Sequence, residues 1–249
     1  MEQNATLTHR GISGSTLKFI AIAAMTLDHA AWCLIDPQLT ACGLPTFPQF
    51  IPFTALSASS PLYALSYLFH LLGRITFPLM LFLLTEGMTH TRNSRRYALN
   101  LFIFAFVSEI PFDLAFSNTP FDFSEQNIFF TLFLSLIAMY ALRKLRHRPW
   151  IAFLIVALCA AGAWLLHSDY GCYGVLIACV MDLLREKKTR AYFFACLTAT
   201  AFSFCECTAL LALPAVRHYN GKRGLRLKYT FYLFYPVHLL IMFVWKARF

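Results

Sequence analysis

Apolar residues in this chain gather into nine runs separated by short polar connections: 17–35, 63–89, 97–116, 127–142, 150–167, 170–184, 191–204, 206–216 and 229–246. A helix rises about 1.5 Å per residue, so roughly 20 apolar residues are needed to cross about 30 Å of hydrocarbon. The runs 191–204 and 206–216 hold only 14 and 11 residues. They predict a short re-entrant hairpin, a shape tolerated at membrane depth only where protein surrounds it. The pattern predicts an all-α polytopic membrane protein with about 8–10 membrane helices, some short or re-entrant, in a single domain over 1–249. There is no internal repeat, low-complexity tract or soluble domain.

The connection 36–62 departs from the rest. It carries five of the eleven prolines (Pro37, Pro45, Pro48, Pro52, Pro61), several aromatics and one charge, Asp36. Proline at that density excludes a regular span, while low polarity predicts a segment lying on the membrane or folded over the bundle. It is either an irregular interfacial loop or a lid over a substrate entrance. The N-terminus lacks the features of a cleaved signal peptide, so the first apolar run is expected to stay as a membrane helix.

Composition agrees with lipid as the solvent. The chain is 59% hydrophobic and 13% charged, with a mean hydropathy of +0.59, whereas a soluble domain is about a quarter charged. That excludes a soluble enzyme, a disordered tail and a nucleic-acid-binding domain, so the lipid bilayer is the expected partner and nucleic acid is not. The net charge of +9 is a record of orientation: 18 of the 21 basic residues stand at every second connection, around residues 10–18, 92–96, 143–148, 185–190 and 217–228, and the alternate connections hold none. By the positive-inside rule the N-terminus and the basic loops are cytoplasmic and the C-terminus is outside. The eight cysteines lie mostly within apolar runs and read as small buried residues. Cys205-Glu206-Cys207 lacks the matching His or Cys pair of a metal site, and no metal is expected.

Ionisable groups inside a bilayer are costly and usually functional. Counted from the N-terminal end of each span, Asp28 and His29 lie about 16 Å deep, Arg74 about 16 Å, Glu109 about 18 Å and His238 about 14 Å. Four spans thus bring acid, base and cation to one level. His70 and Arg74 share a helix face, as do Glu109 and Asp113. Asp28 and His29 diverge by about 100°, so Asp28 is expected to serve a partner other than its neighbour. Pro78 and Pro236 lie within a turn of this level and can release backbone carbonyls there. Two imidazoles and a carboxylate suit proton transfer in catalysis, and equally a proton- or ion-coupled transporter; a non-catalytic scaffold would use the same groups as interhelical glue. On the basic side, Tyr219-Asn220-Gly221-Lys222-Arg223-Gly224 places two glycines and two cations in one turn. That turn suits phosphate oxygens, or simply anionic headgroups.

Several motifs occur together and in order: Lys18 with Leu27-Asp28-His29, Gly73-Arg74 with Phe77-Pro78, Glu86-Gly87 with His90-Thr91-Arg92-Asn93, Asn127-Ile128-Phe129, Asp169-Tyr170-Gly171 with Gly174, the Tyr219–Gly224 turn, and Phe234-Tyr235-Pro236-Val237-His238-Leu239. This set resembles the TraX family over nearly the whole chain. The family is named for an integral membrane protein that N-acetylates the pilin of F-type conjugative pili, and it looks like a distant relative of transmembrane acyltransferases that use cytoplasmic coenzyme A. The larger acyltransferases have a core of roughly ten helices, more full spans than 191–216 allows here.

The resemblance implies a bacterial cytoplasmic membrane, acetyl-CoA as co-substrate, and an amine or hydroxyl acceptor that it does not identify, such as a pilin-like protein, a peptide or a small molecule. It leaves the oligomeric state open. Under it, Tyr219, Asn220, Lys222 and Arg223 dock the CoA phosphates and Lys18 lines the entry. His29 is the general base, or an acetylated nucleophile, and Asp28 fixes a tautomer or a partner nearby. Arg74, His238 or Asn127 stabilises the oxyanion, the 36–62 loop admits the acceptor, and Glu86, Glu109, Tyr170 and Tyr235 support the site.

Overall fold

The structure is a computed structural model that describes residues 11–47, 60–225 and 228–248. Arg10, Arg226 and positions 48–59 of the proline-rich connection lie outside the described residues. The regular elements among the described residues are all helices, with two isolated β-bridges beside them. α1 is Gly14–Ala30, α2 Asp36–Ala41, α3 Pro61–Gly73, α4 Thr76–His90, α5 Ser94–Ser117 and α6 Ile128–Lys144. They are followed by α7 Pro149–Leu165, α8 Gly171–Leu183, α9 Lys188–Phe202, α10 Leu213–Arg217 and α11 Lys228–Lys246. Among the described residues, three stretches are long and apolar enough to cross a bilayer, Gly14–Ala41, Pro61–His90 and Ser94–Ser117. This is an all-α membrane protein.

Side-chain caps fix where several helices start. Ser13, Asn93 and Asn127 accept from the backbone N–H groups of Thr16, Arg96 and Phe129, which satisfies donors that have no partner within the helix. The outer faces are apolar: α5 exposes Phe102, Ile103, Phe106 and Ile110, and α7 exposes Trp150, Phe153, Leu158 and Trp164. The polar side chains go inside instead, with Asp36, His70, Asn127, Asp182, Glu206 and His238 all buried. That distribution is what hydrocarbon solvent selects.

Three apolar runs take a different form from a plain reading of the pattern. The first helix does not stop at residue 35: a π-helical turn over Ala31–Ile35 carries it into α2, with Pro37 in the first turn. The wider π turn receives a proline ring that a regular α-helix would reject. The second run breaks in its middle, between Gly73 and Thr76. The region 191–216 is α9, then a 3-10 helix over Phe204–Ala212 and the short α10, so its return limb is tighter than an α-helical hairpin. Among the packed pairs, α5 lies against α11, and α1 against both α3 and α4. That arrangement gathers the first, second and last apolar segments around one polar centre.

Candidate functional site

The break in the second span positions Arg74. Pro78 has no N–H to give to the Arg74 carbonyl, and the Ile75 N–H turns to Leu72 O at 3.2 Å, leaving the Leu71 carbonyl without its helical partner. Thr208, from the 3-10 helix, supplies a hydroxyl to that carbonyl at 2.6 Å. Arg74 then reaches across two elements. Its Nη2 meets Asp28 Oδ1 at 3.1 Å, and its Nη1 meets Glu206 Oε1 at 3.3 Å. Asp28 approaches at Gly73, where a Cβ would stand 2.4 Å from Asp28 Cβ. Tyr170 donates to the same Glu206 oxygen at 3.4 Å and stacks on Phe77 with ring centroids 3.8 Å apart. Its φ of +62° is held by these two contacts at the head of α8.

His70, one turn before Arg74 and fully buried, joins two acids. Its Nδ1 lies 2.8 Å from Asp28 Oδ1 and its Nε2 2.9 Å from Asp36 Oδ2, while the Ser66 hydroxyl bonds Asp36 Oδ1 at 2.5 Å. Trp32 and Phe47 close over the ring.

His29 turns the other way and meets His238 of α11, Nδ1 to Nε2, at 2.8 Å. His238 Nδ1 lies 2.8 Å from the Phe234 carbonyl, which can only accept, so that nitrogen carries the proton. In a neutral ring His238 Nε2 is then an acceptor, and His29 Nδ1 must be the donor. His29 Nε2 is therefore left with its lone pair, and no described group hydrogen-bonds it. Phe116 and Tyr235 stand edge-on to His29, and Phe234 stacks on His238. The carbonyl used here is that of Phe234. The carbonyl Pro236 deprives of its partner is that of Tyr232, and α11 continues through the proline.

At the basic end, the carbonyls of Lys222 and Arg223 accept from the N–H groups of Gly14 and Ser15 at 2.8 and 3.0 Å, and Asn220 bonds Gly11 O and the Lys222 N–H. The turn is thus a clasp on the start of α1. Lys188 bonds Glu86 at 2.6 Å and lies over the Tyr219 ring; Lys18 lies over Phe231. At the opposite end a cavity of about 420 Å³ is lined by Arg74, Glu125, His167, Asp169, Tyr170 and Tyr173.

The model of the family described as TraX protein matches residues 13–246, nearly the whole chain. The chain belongs to the TraX family. It is also similar to the "Probable fimbrial assembly protein FimC, serogroup H1" of Dichelobacter nodosus, 30% identical over 256 residues that cover 92% of this chain and 94% of that protein. No solved structure matches it.

In this TraX chain the sequence-predicted residues fall into separate groups. Asp28 and Arg74 meet, His29 and His238 meet, and the two pairs adjoin through consecutive positions of α1. Tyr235 borders the histidines and Tyr170 borders Arg74. Glu109 stays outside this centre: its Oε2 accepts the side-chain amide of Asn127, and Oε1 is buried without a partner. Asn127 caps α6 and donates to Ala105 O at 2.7 Å, so its polar atoms are engaged and an oxyanion role does not fit. Glu86 belongs to the basic end. Lys222 and Arg223 have exposed side chains, but the Lys222 N–H is already bonded, so a phosphate would meet side-chain charge more than a cradle of backbone N–H groups. Asp36 and Glu206 complete the buried network without having been singled out as site residues. Each is a lone acid in an apolar stretch, which was the available signal.

Proposed function

We propose that this protein is an integral membrane acetyltransferase that moves an acetyl group from acetyl-CoA to an amine or hydroxyl acceptor at the His29 centre. The observation that carries the proposal is the His29–His238 pair. The proton order from Phe234 O through His238 leaves His29 Nε2 as a bare base, the arrangement of a nucleophile-activating imidazole oriented by a second group.

In this reading the exposed Lys222 and Arg223 hold the CoA phosphates at the basic end, taken as cytoplasmic, and Lys18 lines the way inward. His29 Nε2 removes the proton from the acceptor as nitrogen or oxygen attacks the thioester carbonyl, and then delivers it to the departing sulfur. Arg74 is the midplane guanidinium available to the developing oxyanion. The cavity at the other end, which reaches Arg74, admits the acceptor. A relative named for fimbrial assembly supports a pilin-like polypeptide as that acceptor.

The test uses purified protein in lipid nanodiscs with labelled acetyl-CoA and a short alanine peptide amide. Acetylated peptide and released CoA are expected from the wild type, and neither from a folded His29→Ala variant. Full turnover by that variant would overturn the assignment. The Asp28–His70–Asp36 chain also favours a proton-coupled transporter, which substrate counterflow independent of acetyl-CoA would select.

A further inference from the structure

Asp28, His70 and Asp36 form a continuous hydrogen-bonded line along the first helix. Eight residues separate the two acids, about 12 Å of helix rise, and His70 spans the interval by bonding a carboxylate at each ring nitrogen, 2.8 and 2.9 Å. A neutral imidazole has one N–H, so the other nitrogen would set a lone pair against a carboxylate oxygen. Two bonds of this length therefore require one more proton, on the ring or on an acid. His70, fully buried, and Asp36, 5% exposed, hold their part of the line away from bulk water, while the Asp28 side chain, 16% exposed, is its more open end.

The surroundings give the line a direction. Asp28 also faces Arg74, which in turn faces Glu206. Arg74 lines the cavity and Asp28 does not. A guanidinium cannot accept a proton, so Arg74 blocks proton exit from Asp28 into the cavity. Trp32 and Phe47 pack on the His70 ring from other elements, and Ser66, one turn earlier on α3, bonds Asp36; none is a competing base. Of Asp28's two oxygens, Oδ1 is taken by His70 and Arg74, and among the described residues Oδ2 accepts one hydrogen bond, from an Arg74 N–H at 3.3 Å.

We propose that Asp28–His70–Asp36 is a proton relay, leading from the reaction centre toward the end of the bundle remote from the basic loops, that removes the proton an ammonium acceptor must lose before it can attack. This rests on the acetyltransferase reading and assigns the second proton event in it. An amine arriving as R–NH3+ gives its first proton to Asp28 Oδ2. Asp28 gives a proton from Oδ1 to His70 Nδ1 as His70 releases its Nε2–H to Asp36 Oδ2. The neutral amine then attacks, the N–C bond forms and the C–S bond breaks. His29 takes the second N–H proton and returns it to the sulfur. The sum is acetyl-CoA plus R–NH3+ giving the amide, CoA–SH and one H+, and that H+ leaves through Asp36.

The experiment uses the full chain, reconstituted in one orientation in liposomes, with acetyl-CoA on the basic-loop side, a short alanine peptide amide inside and a pH dye trapped in the lumen. The wild type is expected to acidify the lumen by one proton per CoA released. Asp36→Asn is expected to lower turnover tenfold or more with the peptide, and much less with a hydroxyl probe, which has no ammonium proton to lose. CoA release with the proton appearing on the acetyl-CoA side, or luminal acidification unchanged in Asp36→Asn, overturns the relay and leaves the acetyltransferase standing. Absence of CoA release from the wild type overturns both. Independently of turnover, 15N-histidine spectra in lipid are expected to show a hydrogen-bonded proton at each His70 nitrogen, held by the ring or shared from the facing acid; a ring nitrogen with no such proton refutes the relay.

Discussion

Replacing Gly73 by alanine tests the geometry of the midplane site with a single methyl group. An added Cβ would lie 2.4 Å from Asp28 Cβ, 2.5 Å from Cγ and 2.6 Å from Oδ1, where ordinary contacts begin near 3.4 Å. Either α1 or α3 must yield by about 1 Å to reach normal contact. A shift of that size takes the 2.8 Å bond from His70 and the 3.1 Å bond from Arg74 beyond bonding distance. Two effects oppose each other. Alanine favours a helix over glycine by up to about 1 kcal/mol. Overpacking costs about 1–3 kcal/mol, and weakening a buried ion pair adds to that, up to about 3–5 kcal/mol if a partner is lost outright.

The clash wins, and we expect a net loss of about 2–3 kcal/mol. For a chain of this size that corresponds to an apparent melting temperature lower by about 4–12 °C. Acetyl transfer should fall more steeply, by about 100-fold, since a displacement of 1 Å at a reacting centre has that effect. The assays are tryptophan-fluorescence melting in nanodiscs and CoA release from acetyl-CoA. Wild-type melting together with wild-type turnover in Gly73→Ala would refute the packing described for Asp28.

Other consequences follow from the same geometry. His238→Ala removes the group that fixes the His29 tautomer and should lower acetyl transfer by about 10²–10⁴-fold, with His29→Ala plus His238→Ala no worse than His29→Ala alone; additive losses in the double variant would show that the two act separately. Thr208→Val leaves the Leu71 carbonyl without its hydroxyl and should destabilise by about 1–3 kcal/mol, read as a lower melting temperature. Gly224→Ala forces a side chain onto a φ of +73° and within 2.1 Å of Ser15 Oγ; it should loosen the start of α1 and speed hydrogen exchange at Gly14 and Ser15. Lys222→Ala with Arg223→Ala should raise KM for acetyl-CoA and leave kcat unchanged, measured by initial rates at saturating acceptor.

Depth along a helix is legible in a sequence, and azimuth is not. The levels of Asp28, His29, Arg74 and His238 followed from counting residues, and the divergence of Asp28 from His29 followed from 100° per residue. That His29 takes His238, 209 positions away, and that Glu109 takes Asn127, depend on which helices are neighbours. Asn127, directly before an apolar run, carried an ordinary capping signal, and the structure gives it that task. The break at Gly73–Thr76 was hidden within a predominantly apolar run of 27 residues and hinted at only by Pro78. Proline density at 36–62 hid the extension of the first helix to Ala41, because a π turn lets Pro37 join it. Asp36 was read as part of a loop for the same reason.

The clasp between residues 11–15 and 219–225 bears on how such a protein is made. α1 carries His29 and follows the clasp's first strand of contacts; α11 carries His238 and follows its second. During synthesis at a membrane, α1 is inserted first and α11 after every other helix. Until then His29 Nδ1 has no His238 nitrogen to meet, and the stretch that caps α1 has not yet left the ribosome. A chain truncated before residue 219 consequently holds an unpaired imidazole and a first helix whose Gly14 and Ser15 N–H groups lack their carbonyl partners, and the basic centre comes into being only when insertion is complete.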